Sequence, residues 1–407
     1  MATNEFKLAW RNIWRNKRRT LITVASIFFG VILSTLMSSM QNGTYSKMID
    51  NVVSFYSGYL QIHHPDYWET KSIDDLFIPT DSLLNAVSSN KAVDLVVPRM
   101  ESFALMSYGN NTKGGMLIGI EPAEENQLTR LKQWVHEGRY LKAGDDGILM
   151  AINLAKALDV QLGDTLALIS QGYHGYSASG LFPVVGILKF PFPTMNNFGT
   201  YISLDRARTF FSAPEMVTSL VLTVDNFDDV YPVKHHLTSS LGSHYSVMTW
   251  DEMDPVTKQM IEGDKGQGYI MKGILYILIG FGVFSTVIMM IAERRKELGV
   301  MVAVGMNKLK LAKVLFYETM LIGVVGVASG FAISVPLVWW MVNNPIPLTG
   351  EVADVYEQFG MEPAIYFGND PMIFWGQILI VFGITLLVSI YPISKIKRLQ
   401  VTKALRA

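Results

Sequence analysis

The 407-residue chain contains no cysteine, which excludes disulfides, zinc thiolates and cysteine nucleophiles. An exported domain without disulfides suits a bacterial envelope better than a eukaryotic cell surface. A GxxxxGK[ST] phosphate loop is also missing. The nearest stretch, GDKGQG at 263–268, has the wrong spacing, so the chain is not expected to hydrolyse nucleotide itself. No GxSxG-type turn gathers a serine with the scattered histidines and aspartates, so catalysis has no positive support. Internal repeats are likewise not evident. Neither a bound cofactor nor a nucleic-acid partner is expected.

What the chain has in quantity is apolar sequence, 50% of its residues. Four stretches, 20–41, 270–292, 312–342 and 371–393, are long enough to span a bilayer core, which takes about 20 residues. The net charge of -1 conceals a strong asymmetry. Residues 1–19, the connector from 293 to 313 and the tail from 394 hold 17 basic residues against Glu5, Glu293 and Glu297. The rest of the chain holds 17 basic and 32 acidic residues. The positive-inside rule then places both termini and the connector in the cytoplasm, with 42–269 and the 343–370 loop outside. The first apolar stretch reads as an uncleaved anchor, because it is too long for a signal peptide and lacks a small-x-small cleavage site.

The expected order is a cytoplasmic amphipathic helix (1–19), a first span (20–41), an exterior α+β domain (42–269), a second span (270–292), a cytoplasmic coupling segment (293–311), a third span (312–342), an exterior loop (343–370), a fourth span (371–393) and a cytoplasmic tail (394–407). On the first helix Phe6, Ala9, Trp10, Ile13 and Trp14 share one face opposite cations, the pattern of a helix lying in the headgroup region. In the exterior region, apolar or alternating runs predict strands near 59–63, 101–107, 116–120, 165–170, 182–188 and 219–224. Helical patterns fall at 151–158, 204–210, 230–240 and 251–262. A Gly/Tyr/Ser loop is expected at 172–180, and a flexible re-entry at 263–268.

Adjacent histidines on a strand point to opposite faces, so His63 and His64 read as a surface turn rather than a metal site. His235 and His236, on an amphipathic helix, receive the same reading. Gly323, Gly326 and Gly330 recur about once per turn, which suits close helix packing within the chain or at a dimer seam. Glu318 is an ionisable residue inside an apolar segment, where such residues are paired or functional. Its position near the cytoplasmic end favours an ion-paired or snorkelling role over proton transport.

The connector sequence ERRKELGVMVAVGM at 293–306 resembles the E-R-x-x-E-[IL]-G-x-x-x-A-[LI]-G block of the FtsX-like permeases of the MacB class of ABC transporters. Glu318 falls where that family commonly has a glutamate in its third span. The tail YPISKIKRLQVTKALR at 391–406 is similar to the family's closing block, departing at Ile393, Ile396 and Val401. Size and the lack of a fused ATPase lean towards the lipoprotein-releasing LolC/LolE branch. So do MQNG at 40–43, INLAKALDVQLGDT at 152–165, FPVVGI at 182–187 and TYISLD at 200–205.

The resemblance implies a four-span membrane protein of a bacterial inner membrane, with a MacB-like periplasmic domain inserted between the first two spans. It implies a non-catalytic permease that couples a separate LolD-like ATPase dimer, which would hold ATP and Mg, to release of lipoproteins. Further implied partners are a second permease copy or paralogue, membrane lipids, lipoprotein cargo and a LolA-like carrier. On the coupling segment it points to Glu293, Arg295, Glu297, Leu298, Gly299, Val302, Gly305 and Met306. Glu293, Arg295, Glu297 and Leu298 would meet the ATPase, and Gly299 and Gly305 would allow turns. Met37, Met40, Phe281 and Phe284 are candidates for an apolar cargo cavity, since methionine adapts to varied shapes. Tyr173, Tyr176 and Leu181 are candidates for a carrier-facing loop at 171–181, which lacks the proline bracketing of the branch's carrier hook. The same scaffold suits MacB-like export of peptides or drugs, or FtsX-like force transmission to cell-wall enzymes. A membrane-anchored peptide sensor is the alternative from another class.

Overall fold

The computed structural model describes residues 2–15, 17–191, 193–197, 199–358, 362–398 and 400; the closing motif from Val401 to Arg406 lies outside them. The chain divides into two units, one of residues 1–46, 260–347 and 364–407, the other of 47–259 and 348–363.

The first unit is helical. Its elements are α1 (Ala2–Arg15), α2 (Lys17–Val52), α3 (Pro255–Glu293), α4 (Arg295–Ala303), α5 (Lys308–Asn343) and α6 (Pro371–Lys397). Helices α2, α3, α5 and α6 are long and apolar enough to cross a membrane. Side-chain caps start two of them: Asn307 accepts from the Leu309 amide, and Asp370 from the Met372 amide just ahead of Pro371. The expected flexible re-entry at 263–268 is instead part of α3. Its glycines are poor helix formers, but the helix is continuous on both sides and carries them. The helical pattern at 251–262 is in turn broken: a short helix ends at Met253, and α3 opens at Pro255. Proline is tolerated in a first turn, and the Asp254 carboxylate accepts from the Thr257 amide at 3.1 Å.

The glycine stripe on α5 is used inside the chain rather than at a dimer seam. A Cβ at Gly323 would lie 2.3 Å from Thr385 on α6. At Gly326 and Gly330 it would meet Ile27 and Val31 of α2 at 2.7 and 2.8 Å. These contacts set α2, α5 and α6 close together. The aromatic face of α1 divides: Ala9 and Ile13 are buried, while Trp10 and Trp14 stay exposed and meet edge to face.

The second unit is built on a mixed ten-stranded sheet in the order β10-β1-β9-β2-β3-β8-β5-β7-β4, with β6 pairing β2 and β7. The strands are β1 (Leu60–His63), β2 (Val93–Tyr108), β3 (Asn111–Ile120), β4 (Val135–Gly138), β5 (Ile148–Ala151), β6 (Thr165–Gln171), β7 (Ser177–Leu188), β8 (Gly199–Ser203), β9 (Ser219–Val224) and β10 (Ser246–Thr249). Every predicted strand is present. β4, β5, β8 and β10 fall outside the predicted segments; each has only four or five residues, over which a period is a weak signal. Strand β2, 16 residues long, pairs β9 along its first half and both β3 and β6 along its second. It thereby joins the two halves of the sheet. Helices Ile152–Leu158 and Leu204–Phe210 contribute Leu154, Leu158, Leu204 and Phe210 to a buried core with Met100, Met106, Leu166 and Phe182.

Beneath β2 the guanidinium of Arg99 is fully buried and holds Glu125 by two hydrogen bonds of 2.7 and 2.8 Å. It also donates to the Tyr56 carbonyl, while the Tyr56 hydroxyl donates to Glu101 at 2.8 Å. Such a buried cation is tolerable only with this degree of pairing. The turn Val53–Ser57 ends at Gly58, whose φ is +64° and where an added Cβ would lie 2.3 Å from Val221, leaving no room for a side chain.

His63 corrects the surface-turn reading. It is fully buried on β1, bonded through Nε2 to Gln61 at 2.8 Å and stacked on Tyr67. Burial, with the Lys71 cation second, pushes its pKa down to about 3. His64 is half-exposed, with Nδ1 at 3.8 Å from both Asp66 and Asp75. His235 and His236 are exposed, as expected for a solvated helix face.

Candidate functional site

The connector between α3 and α5 is itself helical, where the sequence suggests a loop. Helix α4 follows Arg294 and ends before Gly305, whose φ of +105° is a conformation side chains rarely adopt. Arg294 at the α3–α4 corner is buried. Its Nη1 lies 3.0 and 2.9 Å from the two carboxylate oxygens of Glu318 on α5, itself buried. Asn12 of α1 donates to the same carboxylate at 3.4 Å. Arg294 Nε also reaches Glu297 at 3.4 Å, and Glu297 accepts from Arg15 of α1 at 2.7 Å.

One chain of polar contacts therefore ties α1, α4 and α5 at one end of the bundle. Desolvation raises the Glu297 pKa, but the hydrogen bond and charge of Arg15, with those of Arg294, outweigh it and hold the carboxyl below its usual value. The Arg294–Glu318 pair is the strong member, because solvent does not screen it. The Arg15–Glu297 pair is half-exposed and contributes little alone.

The coupling-segment residues divide by what this clamp does to α4. Leu298 and Gly299 are buried against the bundle, and Gly299 sits inside the helix where no turn occurs. Gly305 makes the turn. Glu293, Arg295 and Glu297 are exposed, Val302 and Met306 partly so. The outward face also carries Lys296, Val300 and Val304, the last 84% exposed. The sequence reading missed Val300 and Val304 because an apolar residue beside five consecutive charges reads as core. It missed Arg294 because nothing distinguished one charge in that run. The signal that identifies it is Glu318: a carboxylate inside an apolar segment requires a cation one helical reversal away.

The four cavity candidates do not form one cavity. Phe281 and Phe284 line an open apolar groove with Tyr276, Gly280, Ile384, Leu387 and Val388, so they face α6. Phe284 meets Tyr391 edge to face at 5.0 Å. Met37 and Met40 do not line that groove. They lie beyond the point where α2 and α3 touch at Gly30 and Ile279, a full turn or more further along α2. Nearer to Met37 and Met40, a polar link crosses the bundle: Tyr276 donates to Gln377, and Gln377 donates to Ser38 at 3.0 Å.

In the second unit the expected Gly/Tyr/Ser loop is mostly hairpin. β6 and β7 pair from Thr165↔Pro183 to Gln171↔Ser177, leaving only a tight turn at Tyr173–Gly175. Tyr176 and Leu181 are about two-thirds exposed, whereas Tyr173 packs partly against the core. Leu181 belongs to a patch that the sequence reading did not assemble. Leu105 pairs with Ile169, and Phe103 and Leu181 lie two residues along the same face, all four exposed. Exposed clusters of this kind mark binding surfaces.

Comparison with known proteins agrees with this layout. Residues 20–239 match the family described as MacB-like periplasmic core domain, and residues 269–401 the one described as FtsX-like permease C-terminal. The lipoprotein-releasing system transmembrane protein LolC of Xylella fastidiosa is 24% identical over 336 residues, covering 76% of each chain. LolE of Haemophilus influenzae is 20% identical over 344 residues, covering 80% of each. The macrolide export ATP-binding/permease protein MacB of Aggregatibacter actinomycetemcomitans is 23% identical over 353 residues, which are 81% of this chain and 52% of MacB.

Proposed function

The chain belongs to the MacB-like periplasmic core domain family and is an ABC transporter permease of the LolC and MacB type; we propose that it couples a separate cytoplasmic ATPase to the release of lipoproteins from the outer leaflet of a bacterial inner membrane. The observation that carries the coupling is the clamped connector. Helix α4 is fixed to α5 and α1 through Arg294, Glu318, Asn12, Glu297 and Arg15, so a push on its outward face moves the bundle rather than the loop alone. Val300, Val304, Arg295 and Lys296 form the face for a LolD-like ATPase dimer, which would hold the ATP and Mg. The lipoprotein reading is supported by likeness to LolC and LolE over three-quarters or more of the chain.

The energetics suit this division of labour. Two acyl chains hold a lipoprotein in the bilayer by about 25 kcal/mol at ~0.8 kcal/mol per CH₂. Surface contacts of an exterior domain do not supply that, and ATP-driven squeezing between two permease subunits does. The groove at Phe281 and Phe284, and Met37 and Met40 further along the bundle, are surfaces the acyl chains would meet in turn. The patch of Phe103, Leu105, Ile169 and Leu181, with Tyr176 at the hairpin tip, is the surface for a LolA-like carrier or for the departing cargo. The charge asymmetry supports a cytoplasmic side for both termini and α4.

The test is release of a fluorescent diacylated lipoprotein from proteoliposomes containing the chain and its ATPase. ATP-dependent transfer to a soluble carrier is the expected result; ATP hydrolysis without release overturns the lipoprotein reading. The similarity to MacB across 81% of the chain favours export of small amphiphiles as the second reading. Extrusion of such a compound in the same vesicles, with the lipoprotein left in place, would establish it.

A further inference from the structure

The cation-bearing end of the helical unit has a second feature that the coupling network does not use. A groove between α1, α2 and α5 is lined by Trp10, Ile13, Trp14, Leu21, Val24 and Val325, almost wholly apolar, with Lys17 on its rim. An adjoining depression is lined by Phe6, Lys7, Leu8, Trp10 and Arg11. Trp10 is common to both.

The arrangement follows from the sequence of α1. Ala9 and Ile13 point into the bundle. At 100° per residue Trp10 and Trp14 occupy the next flank round the helix, and Lys7 and Arg11 the flank after that. Lys7, Arg11, Lys17 and Arg18 are all exposed, and the only acidic residue on α1 is Glu5. Arg15 is already held by Glu297.

We propose that this groove is a binding site for one anionic phospholipid, with an acyl chain along Trp10, Trp14, Leu21, Val24 and Val325 and its phosphate-bearing headgroup among Lys17, Lys7 and Arg11. Charge complementarity selects the occupant. A zwitterionic lipid fills the apolar groove but brings no net charge to the cations. A second copy of the same helices brings like charges face to face, which is unfavourable. An anionic lipid satisfies both halves, and tryptophan at the boundary between them suits an indole's preference for the headgroup level. This site is independent of what the permease moves.

The test uses the purified full chain in detergent, titrated with dibrominated phosphatidylglycerol or dibrominated phosphatidylcholine while tryptophan fluorescence is followed. A W10F/W14F variant identifies the signal from the groove. Saturable quenching that this variant loses, with phosphatidylglycerol bound more tightly than phosphatidylcholine, is expected. Lys17→Gln, on an exposed side chain, should weaken phosphatidylglycerol binding about fivefold, the effect of one cation near a headgroup, and leave phosphatidylcholine unchanged. Val325→Phe, which narrows the groove, should reduce quenching by both lipids. Equal affinity for the two lipids, or quenching indifferent to Val325→Phe and to loss of both tryptophans, would show ordinary annular lipid and overturn the proposal.

Discussion

Arg294 and Glu318 form a buried ion pair in the helical unit, each compensating the charge of the other. Removing one partner leaves an uncompensated charge, whereas removing both leaves a packing problem alone. Glu318→Leu should therefore destabilise the chain by about 3–5 kcal/mol, while R294M/E318L should recover most of the loss. Unfolding in detergent across the double-mutant cycle measures the coupling, and a single variant as stable as the parent would show that the pair is not buried. Glu318 was legible from sequence as an ion-paired residue. Its partner was not, since sequence spacing does not show which of several adjacent cations turns inward. His63 gives a second prediction. Its folded pKa of about 3 lies below the usual 6.5, so the unfolded chain takes up this proton first as pH falls. The contribution is complete above pH 6.5 and erodes between there and pH 3, by up to ~1.4 kcal/mol per pH unit. A His63→Phe variant should lack that share of the acid sensitivity, and an unchanged pH profile of unfolding would contradict the burial of a neutral imidazole.

At the scale of elements, the long helices and most of the sheet follow from pattern. Apolar length marks α2, α3, α5 and α6, and apolar or alternating runs mark six of the ten strands of the large sheet. The connector was harder to read, because Gly299, Gly305 and five charges in a row look like turn chemistry. Only one of those glycines has a conformation that requires it. Gly299 is small because it is buried inside α4, a packing reason that sequence does not separate from a turning one. The glycines of α5 also have a packing reason, since each faces a side chain of α2 or α6. Gly326→Leu should wedge α5 from Ile27 and the Val24 carbonyl. A loss of about 1–3 kcal/mol, the usual effect of overpacking, is expected from thermal unfolding in detergent. Unaltered stability would place the α2–α5 contact elsewhere.

Over the whole molecule, charge distribution organises function more than any single motif. Basic residues cluster at the ends of the spans and on the connector, while acidic residues prevail in the 42–269 region. That asymmetry was legible from where the charges fall along the sequence. The surfaces it serves were not: the patch of Phe103, Leu105, Ile169 and Leu181 joins three strands, and the outward face of α4 appears only once Arg294 and Leu298 are seen to turn inward. The central claim is that nucleotide-driven motion enters through this face. Its most direct test is Val304→Asp, at a side chain 84% exposed and so without a packing role of its own. ATP hydrolysis and cargo release should be measured together in proteoliposomes containing the chain and its ATPase. The account predicts that this variant inserts normally but loses both permease-dependent ATPase stimulation and release. Parental stimulation and release in Val304→Asp would contradict it.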